Sequence, residues 1–306
     1  MDILKIKGLA KRFGSQEVLK DVCFSVPEHS IYGFIGQNGA GKTTTMKIIL
    51  GLLKRDEGSI EVCGEEATYG QTRTNHSIGY LPDVPEYYSF MNPGEYLQLS
   101  GEITGMDKQK ITAKSQDLLN LVGLDTSAKK RIGGFSRGMK QRLGIAQALL
   151  NEPRLLICDE PTSALDPIGR KEILDILRTV RERTTVLFST HILTDVERIC
   201  DRAAILHDGR IAVTGRMAEL KEEHGTDSLE IEFTESPERG EFQRICPVNI
   251  ADKIEDIDPV TICIHADEIE KVQTELFGIM YEHNLMPLGI RRKKPSLENL
   301  FMEVVK

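Results

Sequence analysis

Short apolar stretches broken by turn residues open the chain: Ile3 to Lys7, Val18 to Val26 and Ile31 to Ile35. The last runs into a glycine-rich loop and then helical spacing from Thr43 to Leu53, a pattern that predicts strand, loop and helix. From Pro93-Gly94 the period changes. Ile111, Leu118, Leu119 and Val122 fall at helical spacing, and residues 93–150 are expected to form a mainly helical insert. Strand character returns at Leu155 to Cys158 and Thr185 to Ser189, with a helix predicted between them from Ile168 to Arg183. Strands alternating with helices predict an α/β fold on a largely parallel sheet. Beyond His224 the pattern restarts. Leu229, Ile231 and Phe233 alternate with Glu230 and Glu232, and Val260, Ile262 and Ile264 alternate again. Ile269, Val272, Leu276 and Met280 then follow helical spacing behind an acidic first turn, so residues 225–306 are expected to form a small α+β domain.

Charge separates the same two regions. Of 47 acidic and 39 basic side chains, residues 225–306 hold 17 acidic and 9 basic, which leaves residues 1–224 balanced at 30 of each. An acidic surface does not draw a polyanion, so nucleic acid is set aside as the main partner. The six cysteines lack C-x-x-C spacing and are expected to be reduced thiols. The N-terminus lacks a secretion signal's apolar stretch, and the longest apolar run, Ile48 to Leu53, is interrupted by Gly51. It falls far short of the roughly 20 residues that cross a bilayer. A role at a membrane would need another protein to span it.

Gly36-Gln37-Asn38-Gly39-Ala40-Gly41-Lys42-Thr43 fits the pattern G-x-x-x-x-G-K-[ST], placed after an apolar strand and before a helix. Glycines let such a loop curl its N–H groups toward the α- and β-phosphates of a nucleotide, and the helix N-terminus adds partial positive charge. Lys42 is expected to reach the β- and γ-phosphates, and the Thr43 hydroxyl to ligate magnesium. Farther along, the apolar strand Leu155-Leu156-Ile157-Cys158 ends in Asp159-Glu160. Carboxylates at the C-terminal end of a buried strand stand where an open α/β sheet places its chemistry. Asp159 is expected to hold the magnesium shell and Glu160 to polarise the attacking water.

With these segments in view the chain resembles the nucleotide-binding subunit of an ATP-binding-cassette (ABC) transporter over about residues 1–222. Phe135-Ser136-Arg137-Gly138-Met139-Lys140-Gln141-Arg142 stands where the family has its LSGGQ signature, Ser163-Ala164-Leu165-Asp166 matches the D-loop, and His191 the switch histidine. Phe13 matches the aromatic that stacks on adenine. The resemblance implies a P-loop NTPase with a mainly parallel sheet, an antiparallel β subdomain and the helical insert. Its function would be ATP hydrolysis coupled to transport. It further implies ATP contacts from Phe13, Gly36, Asn38, Gly39, Ala40, Gly41, Lys42, Thr43, Thr44, Ser136, Gly138 and Asp166, and catalytic roles for Lys42, Glu160 and His191. Magnesium would be held by Thr43 and Asp159. Because one chain carries one glycine loop and one signature, and the family sandwiches ATP between the two, a second copy is the expected partner.

Two departures stand out. The signature has Arg137 and Met139 where the common form has Gly and Gln, and Asp83, in Gly79-Tyr80-Leu81-Pro82-Asp83, stands where the family has a glutamine. Asp83 is expected either to contact the metal or to sit back from the phosphates. Residues 80–96 carry Tyr80, Tyr87, Tyr88, Phe90 and Tyr96, which either pack the insert on the sheet or dock a membrane permease at the cytoplasmic face of the cell membrane. The basic run Arg291 to Lys294 reads either as a solvated turn or as a site for anionic lipid or nucleic acid. Ser296 can cap a helix with Leu297, Leu300, Phe301 and Val304 on one face, an ending that looks like the extension of drug, antibiotic or lipid exporters and is expected to help subunits dimerise. An importer subunit and a soluble family member outside transport are the alternatives.

Overall fold

The most apolar stretches become strands with no exposed face. In the computed structural model, which describes all residues except 72, 126–128, 225–226, 248–249, 251–252, 267, 294–295 and 306, two sheets form the first of two compact units, Met1–Met217. Strands β1 (Asp2–Phe13) and β2 (Gln16–Pro27) pair antiparallel, and β4 (Glu57–Val62) and β5 (Glu65–Glu66) extend them in the order β2-β1-β4-β5. Both β1 and β2 outrun the stretches that alternation predicts. Register shifts around Leu9 and Lys11, with Gly8 at φ 61°, break the period of two without ending the pairing.

The second sheet comprises β3 (Ile31–Ile35), β6 (Ile78–Leu81), β7 (Leu155–Asp159), β8 (Thr185–Thr190), β9 (Arg202–His207) and β10 (Arg210–Arg216). Its order is β10-β9-β3-β8-β7-β6, and every neighbouring pair is parallel except β9 with β10. The expected mainly parallel sheet and antiparallel subdomain are thus both present. The Phe24 ring stacks on Tyr32 and Phe34 at centroid distances of 5.7 and 5.1 Å, joining the two sheets in one core.

Helix α1 (Lys42–Ile49) stops short of the predicted Leu53, because Gly51 at φ 68° turns the chain and its N–H bonds back to Ile48. The insert holds α2 (Pro93–Ile103), started by an Asn92/Glu95 capping box, α3 (Lys108–Leu121), capped by Asp107, and α4 (Arg137–Leu149), capped by Ser136. Asp166 caps α5 (Pro167–Val180), which ends before the predicted Arg183, and α6 (Leu193–Ile199) follows β8.

The second unit begins at Ala218, within α7 (Met217–His224). Its strands β11 (Ser228–Glu232), β12 (Ile254–Asp256), β13 (Thr261–His265) and β14 (Gly289–Lys293) form an antiparallel sheet of order β12-β13-β11-β14. With α8 (Ser236–Ile245), α9 (Ile269–Glu282) and α10 (Leu297–Val305), it has its own core around Leu229, Ile231, Phe233, Phe242, Ile262 and Leu276. The basic run is exposed but paired, and it forms a strand instead of a turn: Arg292 pairs with Asp227 and Glu270, and Arg291 and Lys293 pair with Glu230. Lys294 and Pro295 lie outside the described residues. The Ser296 hydroxyl accepts from Asn299 N–H at 3.4 Å, and on α10 Leu297 and Leu300 are buried.

One close approach sets where α4 lies on the sheet. A Cβ at Gly79, in β6, would stand 2.3 Å from the carbonyl oxygen of Ala148 in α4. Gly79→Ala should therefore lower stability by about 1–3 kcal/mol. Urea unfolding followed by circular dichroism measures this, and an unshifted midpoint would mean that α4 can step away from the strand at no cost.

Candidate functional site

Four neighbouring strands deliver the motif residues to one edge. The glycine loop follows β3, His191 follows β8, Asp159 and Glu160 end β7, and Asp83 follows β6, so the order β3-β8-β7-β6 sets their loops side by side. This is the carboxyl edge, where parallel strands open a crevice for ligands.

Lys42 is buried, 6% exposed, yet its ammonium is fully partnered. Its Nζ donates to the carbonyls of Gly36 at 2.6 Å and Gln37 at 3.2 Å, and lies 3.1 Å from Glu160 Oε1. The Lys42 approach to Glu160 is an ion pair without hydrogen-bond alignment, which leaves Oε1 buried and free to accept. On the other side, His191 Nδ1 is 2.9 Å from Glu160 Oε2. Asp159 Oδ2 accepts from the Thr43 hydroxyl at 2.8 Å, and its Oδ1 from the Ser189 hydroxyl at 2.6 Å. The Ser189 hydroxyl also accepts from the Glu160 N–H at 3.1 Å, so one hydroxyl ties the Asp159 carboxylate to the Glu160 backbone. Glu160 itself sits at φ 49°, a left-handed conformation that side-chain-bearing residues adopt only when held there.

The loop has the form of a phosphate cradle. Gly41, at φ 111°, could not carry a Cβ without approaching Leu19 to 2.6 Å, and a Cβ at Gly36 would stand 2.8 Å from the Leu206 carbonyl. Gly39, at φ 86°, faces open space. No side chain caps α1, so its first-turn N–H groups are left for a ligand. Ala40 and Thr44 are half-buried and Asn38 is exposed. Beside the loop is a cleft of about 280 Å³ lined by Glu17, Lys20, Gln37, Asn38, His207 and Asp208. Phe13, 48% exposed at the end of β1, has the Lys11 ammonium 5.3 Å from its ring centroid. A larger cavity of about 500 Å³, by Lys114, Leu118 and Val180, contains none of the motif residues.

Among the described residues no three His, Cys, Asp or Glu side chains cluster as a metal cage. Hard-oxygen donors do occur together, in the Thr43 hydroxyl and the Asp159 carboxylate. That set fits magnesium, which takes one or two protein oxygens and completes its shell with phosphate and water.

The structure does not gather every residue singled out in the sequence. Ser136 and Gly138 lie at the start of α4; the Ser136 hydroxyl accepts from Met139 N–H at 3.2 Å, and Gly138 faces Leu165. Asp166 accepts from Gly169 N–H at 2.7 Å as a helix cap. The Asp83 carboxylate lies 3.2 Å from Arg137 Nη2 rather than on Thr43 or Asp159. Burial raises its pKa above the usual range, with Arg137 pulling it down and Asp159 and Glu160 pushing it up. The aromatic segment is divided. Tyr87 donates to the Lys140 carbonyl at 2.7 Å and meets Tyr96 edge-on at 4.9 Å, whereas Tyr88, Phe90 and Val84 are exposed. Sequence reasoning passed over Ser189 and Asp195; Ser189's place two residues before His191, at the same strand end, was the available signal.

The chain is similar to known proteins in sequence and in fold. The sequence model described as ABC transporter matches residues 19–163. The bacitracin transport ATP-binding protein BcrA of Bacillus licheniformis is 35% identical over 311 residues, covering 99% of this chain and 97% of its own. The Nod factor export ATP-binding protein I of Ralstonia nicotianae is 31% identical over 304 residues, covering 99% and 93%. Among solved structures, the ATP binding subunit of an ABC transporter is 33% identical and superposes with a TM-score of 0.65 over 72% of this chain and 92% of its own.

Asp195 is a buried acid in the first turn of α6, with Oδ2 unpartnered and Arg170 Nε 3.9 Å away. Burial raises its pKa, and Thr162, Arg170 and Arg198 oppose that without cancelling it. A raised folded-state pKa means that the folded protein binds this proton more readily than the unfolded chain. Ionised Asp195 therefore destabilises the fold at neutral pH, and the penalty disappears as pH falls through the folded and then the unfolded pKa. Asp195→Asn should be more stable than the wild type at pH 7, with the gap closing in acid. Unfolding midpoints compared at pH 7 and pH 4 check this, and a gap independent of pH would rule it out.

Proposed function

The chain belongs to the ATP-binding proteins of the ABC transporter family, and on that premise we propose that it binds and hydrolyses ATP to power export through a separate membrane permease. The observation that carries the hydrolytic reading is Glu160, buried on a left-handed backbone with Lys42 on one oxygen and His191 on the other. Lys42 and the α1 N-terminus bind the β- and γ-phosphates. A phosphate in the loop gives Lys42 a stronger partner than Glu160, which leaves that carboxylate to orient the attacking water and accept its proton. His191 keeps the carboxylate turned toward the γ-phosphate. Thr43 and Asp159 hold magnesium, which when bound neutralises charge on the phosphate oxygens. Phe13 offers a ring face to the base.

Ser136 and Gly138, at the start of α4, serve the ATP of a second copy, since one chain carries one glycine loop and one signature segment. Export is supported by the full-length likeness to a protein named for Nod factor export. No helix among the described residues is long and apolar enough to cross a membrane, so the span belongs to the permease. That partner docks on the exposed Val84, Tyr88 and Phe90, at the cytoplasmic face of the membrane. The unit from Ala218 onward helps hold the two copies together. Leu297 and Leu300 are already buried, so its contact surface is assigned to Phe277 and Tyr281, exposed one turn apart on α9.

Lys42→Ala should lose both ATP binding and turnover. Glu160→Gln should bind ATP, turn over at least a hundredfold more slowly, in the range set by loss of a general base, and accumulate as an ATP-held dimer in sedimentation. Near-normal turnover by Glu160→Gln would remove Glu160 from the role. In the same instrument without nucleotide, full-length Tyr281→Glu should self-associate more weakly, and an unchanged profile would remove the α9 contact.

A further inference from the structure

Two of the three residues that depart from the family pattern, Asp83 for glutamine and Arg137 for glycine, are 54 residues apart in the sequence and touch in the structure, with Asp83 Oδ1 3.2 Å from Arg137 Nη2. Each is unfavourable by itself. Arg137 is the first residue of α4, where a cation opposes the positive end of the helix dipole. Asp83 lies in the field of Asp159 and Glu160, which repel it. Paired, each offsets the other's cost.

The pair closes a seam whose remaining contacts are buried. Gln141, fully buried and one turn beyond Arg137, donates its Nε2–H to the Asp83 carbonyl at 2.6 Å. Tyr87 donates to the Lys140 carbonyl at 2.7 Å, and a Cβ at Gly144 would stand 2.4 Å from Leu81 Cδ1. These contacts fasten α4 from Lys140 to Gly144 to residues 81–87. The first turn, with exposed Ser136 and half-buried Gly138, extends past them, and there the Asp83–Arg137 pair meets it.

We propose that Asp83 and Arg137 act together as a positioning pair that fixes the first turn of α4, and with it the phosphate-facing Ser136 and Gly138, relative to the strand end carrying the catalytic edge. The proposal rests on the reading of those two residues as phosphate donors. It assigns Asp83 to the signature helix, not to the metal. The two substitutions are then one change, a charge pair standing where relatives of the common pattern have two neutral residues.

The test is a cycle in the full-length protein of Asp83→Asn, Arg137→Gln and the double variant, read first by amide hydrogen exchange at residues 139–141, which needs no turnover. Each single variant should raise exchange there about fivefold, the most an exposed ion pair supplies. The double variant should exchange no faster than either single variant, because the second substitution has no pair left to break. Turnover should follow the same order, and the magnesium concentration for half-maximal hydrolysis should stay unchanged in Asp83→Asn. Wild-type exchange in both single variants, a double variant equal to the product of the singles, or a raised magnesium requirement in Asp83→Asn would each overturn the pair. If the wild type hydrolyses no ATP, the proposed function fails, and the exchange data still decide whether the pair sets the helix.

Discussion

A single carboxylate at φ 49° organises the carboxyl edge of the parallel sheet. Glu160 stands one residue beyond β7 with a backbone that costs about 1–3 kcal/mol for a residue with a side chain, and the ends of two neighbouring strands supply what holds it there. From β8 come Ser189, facing its N–H, and His191 on one oxygen; from the loop after β3 comes Lys42 on the other. Burying Lys42 or Glu160 without the other would leave an uncompensated charge in a dry site. Their ion pair therefore requires β3 and β7 to keep their register across β8, which lies between them. The long buried strands are thus a condition of the chemistry as well as of the fold.

Much of this was legible in the sequence, because the glycine loop and the Asp159-Glu160 strand end carry their meaning locally. A strand, a turn that only glycine can make and a helix start are recognisable wherever they occur. What was not legible depends on contacts between distant segments. Ser189 could be seen only as a neighbour of His191, although its hydroxyl bonds both the Asp159 carboxylate and the Glu160 N–H. The extent of β1 was hidden because its bulges move side chains out of the alternation that marks a strand. The end of α1 was overestimated because apolar residues continue past Gly51, which turns the chain.

Charge shows the same limit. The acidic excess of residues 225–306 could be counted, but its destination could not. Arg291, Arg292 and Lys293 look like a basic patch until β14 is laid beside β11, where Glu230 and Asp227 face them across the pairing. Cross-strand neighbours at these spacings neutralise one another, so a run of like charge in the sequence is no run of like charge on the surface.

The aromatic segment joins these observations to the proposed coupling. Its sequence allows packing or docking, and no periodicity in an irregular loop can separate the two. The structure divides the work between adjacent residues: Tyr87 is fastened to α4 through the Lys140 carbonyl, while Tyr88 and Phe90 are left exposed. Packing by Tyr87 therefore leaves Tyr88 and Phe90 available for the proposed docking. A surface that has to transmit force must be anchored on its inner side to the element it moves, and residues 81–87 are anchored to α4 by buried contacts from Leu81, Asp83 and Tyr87. Pressure on Tyr88 and Phe90 would then act on the helix that begins at Ser136, and a loop less firmly held would absorb it.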